Sequence, residues 1–197
     1  MDPTGRVRKN FQESIQSAQA VLDEIGPAIA DSARLMTDAI MNGHKILSCG
    51  NGVSAADAQH FSSSMINQYE VARPGLPAIA LTTDSSTLTS VANDHDFADI
   101  FARQIFAIGL GGDVLLAIST SGRSSNIIRA IDVAHERNMQ VVFLTGNDGG
   151  KMAGQITGND REIRVSGPST ARIQEIHLLV IHCLCDLIDT QLMGLEE

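Results

Sequence analysis

The stretch KILSCGNGVSAADAQHF, Lys45 to Phe61, decides how this chain folds. A short apolar run from Ile46 to Ser48 meets a turn of glycine, amide and small residues, and an amphipathic stretch from Ser54 follows. That order reads as strand, loop and helix. The same design returns in DVLLAISTSGRSSNII, Asp113 to Ile128. Backbone N–H groups at a helix start have no intrahelical acceptor and face the positive end of the helix dipole, and Ser and Thr hydroxyls add further donors. Each loop is therefore predicted to hold an anion, which points to recognition of a sugar phosphate or another phosphoester.

Outward from these two units the alternation continues. Strands are expected at Ala78 to Leu81, Val114 to Ile118, Val141 to Leu144 and Ile163 to Val165. Helices are expected from Ser54 to about Tyr69, from Ser85, from Phe97, from Ser124 to Arg137, briefly after Gly149, and from Thr170 to Leu192. Strands separated by helices need crossover connections, so the fold class is α/β: a five-stranded parallel sheet, doubly wound and flavodoxin-like, covered on both faces. Ligands in such sheets bind beyond the carboxyl ends of the strands, where Gly50 to Val53, Thr82 to Ser86 and Ser119 to Ser124 all fall. Ahead of the sheet, residues 1–43 carry two helical patterns split at Gly26-Pro27, since Pro suits a first helical turn and disrupts an interior. The expectation is an N-terminal helical hairpin joined to one compact domain, residues 44–197.

With 197 residues, 43% of them hydrophobic, the chain can bury one full core. The net charge of -9, without a cluster of Lys or Arg, argues against direct nucleic-acid binding. Cys49, Cys183 and Cys185 lack zinc-finger spacing and suit reduced thiols, and no apolar run approaches a membrane span. A soluble cytoplasmic protein is the expectation. The final helix is apolar on most of its circumference, which one sheet face cannot cover. A homo-oligomer built through that helix and the N-terminal hairpin follows.

The loop CGNGVSAADAQHF is not a dinucleotide fingerprint, lacking a third glycine and an acidic partner, and it has no Gly-Lys-Ser of a Walker loop. Together with STSGRSSN it closely resembles the sugar isomerase (SIS) domain family, over nearly the whole chain. The match narrows to the branch that contains phosphoheptose isomerase and the replication-initiator-binding protein DiaA. It is carried by SCGNG (Ser48 to Gly52), AQHF (Ala58 to Phe61), RPGLPAIALTTD (Arg73 to Asp84), AND (Ala92 to Asp94), GDVLLAISTSG (Gly112 to Gly122), LTGNDGGKMAG (Leu144 to Gly154) and ARIQEIH (Ala171 to His177).

The resemblance implies a substrate site at Asn51, Gly52, Val53, Asn93, Asp94, Ser119, Thr120, Ser121 and Ser124. It implies zinc at His60, Gln174 and His182, and a tetramer as the assembly. In the isomerases a glutamate stands four residues after the histidine matching His60, on the same helix face, where it can ligate zinc or move a proton between the two exchanged carbons. Here that position is Ser64, which does neither well. Val53 likewise stands where the isomerases have glycine, and a β-branched residue resists positive φ. These departures resemble DiaA-like members, which implies an oligomeric regulator that binds DnaA, the first expectation. His60, Gln174 and His182 resemble the isomerases and imply the alternative, a sedoheptulose 7-phosphate isomerase of lipopolysaccharide biosynthesis with His182 as base. A lone histidine in an apolar helix is more often a packed core residue. Gln174 and His182 lie about 12 Å apart along one helix, at the limit of a single metal's reach unless one acts across a subunit boundary. Arg123, beside Ser121 and Ser124, has a guanidinium that could meet phosphate. His44, His95, His135 and His177 carry no motif and are read as surface or packing residues.

Overall fold

The computed structural model describes residues 2–194. The chain begins with α1, Pro3–Met41, capped by the Asp2 side chain, which accepts from Gly5 N at 3.0 Å. Then come β1 (Ile46–Cys49), α2 (Val53–Ile66), β2 (Ala78–Ala80), α3 (Ser85–Asp94), α4 (Ala102–Ile108) and β3 (Val114–Ser119). After them follow α5 (Ser125–Glu136), β4 (Gln140–Gly146), β5 (Arg161–Val165) and α6 (Thr170–Met193), with short 3₁₀ turns at Phe97–Asp99 and Met152–Gln155.

The strands form one parallel sheet in the order β2-β1-β3-β4-β5, the flavodoxin-like order expected. Side-chain alternation along β3 divides the core. Val114, Leu116 and Ile118 join α1, α2 and α6 on one face, while Leu115 and Ala117 join Ile105 of α4 and Ile127, Ala130 and Ile131 of α5 on the other. Both faces are dry, which explains why these strands read as unbroken apolar runs.

The N-terminal hairpin does not form: residues 3–41 are one helix of 39 residues with Pro27 inside it. Pro27 removes one N–H from the ladder, but Val21, Ile25, Ile29, Ala33 and Met36 keep a single helical phase across Gly26-Pro27, and all are buried. That stripe packs on α6 and β5. Burial of five apolar side chains on one continuous face outweighs the roughly 3 kcal/mol of an interior proline.

The final helix also corrects an expectation. By length and composition α6 is apolar enough to cross a membrane. Yet Ile173, Ile176, Val180, Ile181, Leu184 and Ile188 are buried inside the fold, as in the core helix of a globular domain.

Candidate functional site

The two loops that opened the sequence reading stand side by side, because β1 and β3 are neighbours with Cys49 paired to Ala117. In the first, Gly52 sits at φ 58, ψ -120, a conformation open to glycine alone, and hands the chain into α2. The Asn51 carbonyl accepts from Ser54 N at 3.0 Å, so the turn closes on itself, and the Gly52 and Val53 N–H groups at the helix start find no acceptor among the described residues. Val53 is already helical and exposed. The expected conflict between its branched side chain and positive φ does not arise, since Gly52 carries the turn.

In the second loop the Ser119 hydroxyl accepts from Gly122 N at 3.2 Å and lies 3.5 Å from the Ser124 hydroxyl. Ser121 Oγ accepts from Arg123 N at 3.3 Å. Gly122, at φ +59, is nested against the next loop: a Cβ there would stand 1.9 Å from the Gly149 carbonyl oxygen. Arg123 already has a carboxylate partner. Its guanidinium grips Asp148 at 3.1 and 2.5 Å and the Ser121 carbonyl at 3.0 Å, and the Asp148 carboxyl is held below its usual range by that hydrogen bond.

The third expected loop is occupied by its own structure. Asp84 caps α3 through Thr87 N at 3.1 Å, and Gln59 donates to Thr82 Oγ1 at 3.2 Å. Asn93 and Asp94 end α3, exposed, with Asn93 Nδ2 donating to Asp94 Oδ1 at 2.8 Å; their hydrogen bonds do not reach the two anion loops. A groove of about 910 Å³ lies elsewhere, between α3, α4 and α5.

Two helical turns below the first loop, α2 presents His60 to His182 of α6, with the two Nε2 atoms 3.0 Å apart and the rings tilted by 48°. The Tyr69 ring also lies against His182, centroids 5.6 Å apart and tilted by 41°. His182 is thus not a packed core histidine. His177 is: wholly buried, its Nε2 donates to the Thr145 carbonyl at 3.0 Å, and burial lowers its pKa to about 4.

Nitrogen ligands of a tetrahedral zinc sit about 3.3 Å apart, so this pair fits two corners of such a site. Among the described residues no third His, Cys, Asp or Glu joins it. Gln174, half-buried two turns earlier on α6, forms no hydrogen bond with either ring. Ser64 is buried, its hydroxyl against the Cys185 thiol, which burial first and the Asp189 charge second push up to about 12. Arg73 locks that end of α2 in place, donating to the Ser64 and Met65 carbonyls at 2.9 and 2.8 Å and to Asp189 at 2.5 Å.

Sequence reasoning missed three residues here. Tyr69 lies past the helix end, where no pattern marks it. Asn126 makes a side-chain pair with Asn51 across two loops. Asp57, one turn before His60 and 6% exposed, leaves Oδ2 without a partner, and burial raises its pKa to about 6. An acidic residue on the buried face of an apolar helix was the one available signal.

Residues 10–146 match the family model described as SIS domain. A phosphoheptose isomerase of Alkalilimnicola ehrlichii is 57% identical over 98% of this chain and 99% of its own. Among solved structures, the phosphoheptose isomerase GmhA from Neisseria gonorrhoeae is similar with a TM-score of 0.90 and 48% identity, over 95% of this chain and 98% of its own. A phosphoheptose isomerase from Francisella tularensis is similar with a TM-score of 0.93 and 45% identity, over 96% and 100%.

Proposed function

Since the chain belongs to the SIS-domain family, we propose that it binds a phosphorylated sugar across its two loops and interconverts ketose and aldose heptose phosphates, with sedoheptulose 7-phosphate as the ketose. The regulatory reading, with DnaA as partner, draws no support from the relatives, which carry the isomerase name. The observation that carries the proposal is the convergence of His60, on the helix that follows the first loop, and His182 of α6, with Nε2 atoms 3.0 Å apart.

In this reading the phosphate rests on Ser119, Thr120, Ser121 and Ser124, held by hydroxyls and by N–H groups at the start of α5. The sugar extends past Gly52 and Val53 toward the histidines. Only one of the two facing Nε2 atoms can carry a proton in the hydrogen bond between them, so the pair stores one proton and one lone pair. A sugar that parts the rings frees the lone pair to take a proton from the carbinol carbon and return it to the former carbonyl carbon, while the Nε2–H of the other ring protonates the carbonyl oxygen and recovers a proton from the carbinol hydroxyl. Zinc held by His60 and His182 would instead polarise the substrate carbonyl, with both Nε2 lone pairs given to the metal and neither ring left to act as base.

A second reading has an observation of its own. Ser64 faces Cys185 and offers no carboxylate beside His60, which favours a sugar-phosphate binder without turnover. Purified protein assayed with sedoheptulose 7-phosphate, with and without added zinc, separates the two. Turnover that is lost in His182→Ala supports the isomerase. Tight binding without turnover under both conditions overturns it.

A further inference from the structure

The Asn51 and Asn126 side chains form a closed amide pair: each Nδ2 donates to the other's Oδ1, both at 2.8 Å. Asn51 belongs to the first anion loop, whereas Asn126 is the second residue of α5 and 1% exposed. The pair therefore bridges the loops that follow two adjacent strands, 75 residues apart in sequence. Two antiparallel hydrogen bonds in one ring fix distance and orientation together, as a single bond cannot. The first loop's amide carbonyl and amino group are both engaged, and the Asn51 main-chain carbonyl is engaged by Ser54. The donors left without an acceptor in that loop are the Gly52 and Val53 N–H groups.

We propose that Asn126 is a positioning residue, which acts through Asn51 to hold the two loops at the separation that lets them grip one phosphorylated sugar between them. The inference rests on the sugar-phosphate reading above. It assigns Asn51 to the brace and leaves direct contact with the sugar to the Gly52 and Val53 N–H groups.

The test uses the full chain with Asn126→Asp, which keeps side-chain volume but sets a carboxylate oxygen against Asn51 Oδ1, and an alanine cycle of Asn51→Ala, Asn126→Ala and the double variant. Calorimetry measures sedoheptulose 7-phosphate and, separately, inorganic phosphate, which needs only the second loop. Asn126→Asp and Asn126→Ala are expected to weaken the sugar phosphate by about tenfold or more and inorganic phosphate by less than about threefold. The double variant should be no weaker than the weaker single, because the pair acts as one unit. Equal losses for both probes, or losses that multiply in the double variant, would overturn the brace.

The isomerase reading fails separately, as wild-type protein that binds the sugar phosphate without turnover, and the affinities still decide the role of Asn126. Should wild-type protein bind no sugar phosphate at all, hydrogen exchange decides. Asn126→Asp should then speed exchange across residues 50–54 by about tenfold; unchanged exchange there would overturn the proposal.

Discussion

Ser64 and Asp57 face the same side of α2 on either flank of His60, one neutral and one acidic. A carboxylate at position 64 would add charge and ligating oxygen one turn beyond His60, so Ser64→Glu should tighten zinc binding and raise isomerisation by about 10²- to 10⁴-fold. Zinc titration and a coupled rate assay check this; a wild-type rate within about tenfold of the variant would show that the histidine pair suffices and the carboxylate adds little. Asp57 yields a pH test. Its pKa is raised to about 6 in the fold against about 3.9 unfolded, so the native state binds the extra proton between those values. Stability contributed by this group is present below about pH 4 and falls as pH rises through 6. Asp57→Asn should therefore stabilise the fold at pH 7.5 by on the order of 1 kcal/mol after allowance for solvent screening, seen as a higher Tm, with the advantage gone near pH 4. Equal gains at both pH values would show that the ionised form carries no burial penalty.

The first helix shows how an element can overrule its own punctuation. Gly26 and Pro27 mark a break, yet the apolar stripe from Val21 to Met36 stays in phase through them, and packing on α6 and β5 decides. A Cβ built on Gly26 meets nothing within 4 Å, so Gly26→Ala should stabilise the protein by about 1 kcal/mol through helix propensity. Denaturant melts at constant m-value provide the measure. Were the segment a turn, alanine would be neutral or harmful there.

Across the whole molecule, the first half of α1 stands largely outside the core. Val7, Phe11, Ile15 and Leu22 line it at helical spacing, with Phe11 68% exposed, and Leu178 and Leu179 of α6 are exposed as well. Such a stripe is the expected seat of a second copy, and a tetramer is the assembly to look for. Light scattering at micromolar protein should give a mass above the 21.0 kDa chain. Phe11→Glu with Ile15→Glu should lower that mass without unfolding α1, since both side chains face away from the core. A wild-type monomer would remove the oligomer from the account.

What the sequence by itself determined was whatever depends on local period and turn chemistry. Apolar runs broken by glycine-rich loops specified the parallel sheet and the two glycine-bearing loops at its carboxyl edge, because burial on both faces and positive φ at Gly52 and Gly122 leave direct marks on residue type. It also marked Ser64 as the place where the chain departs from the glutamate of the isomerases it resembles. The rest depended on pairs far apart in sequence. Only packing could align His60 with His182, join Asn51 to Asn126, turn Arg123 onto Asp148, or leave Asp57 buried without a partner. The same holds for the continuity of α1, where local signals favoured a break and the buried stripe, supported by α6 and β5, outweighed them. Periodicity reports which face of an element is buried; which side chains meet across two buried faces is set by how the elements dock.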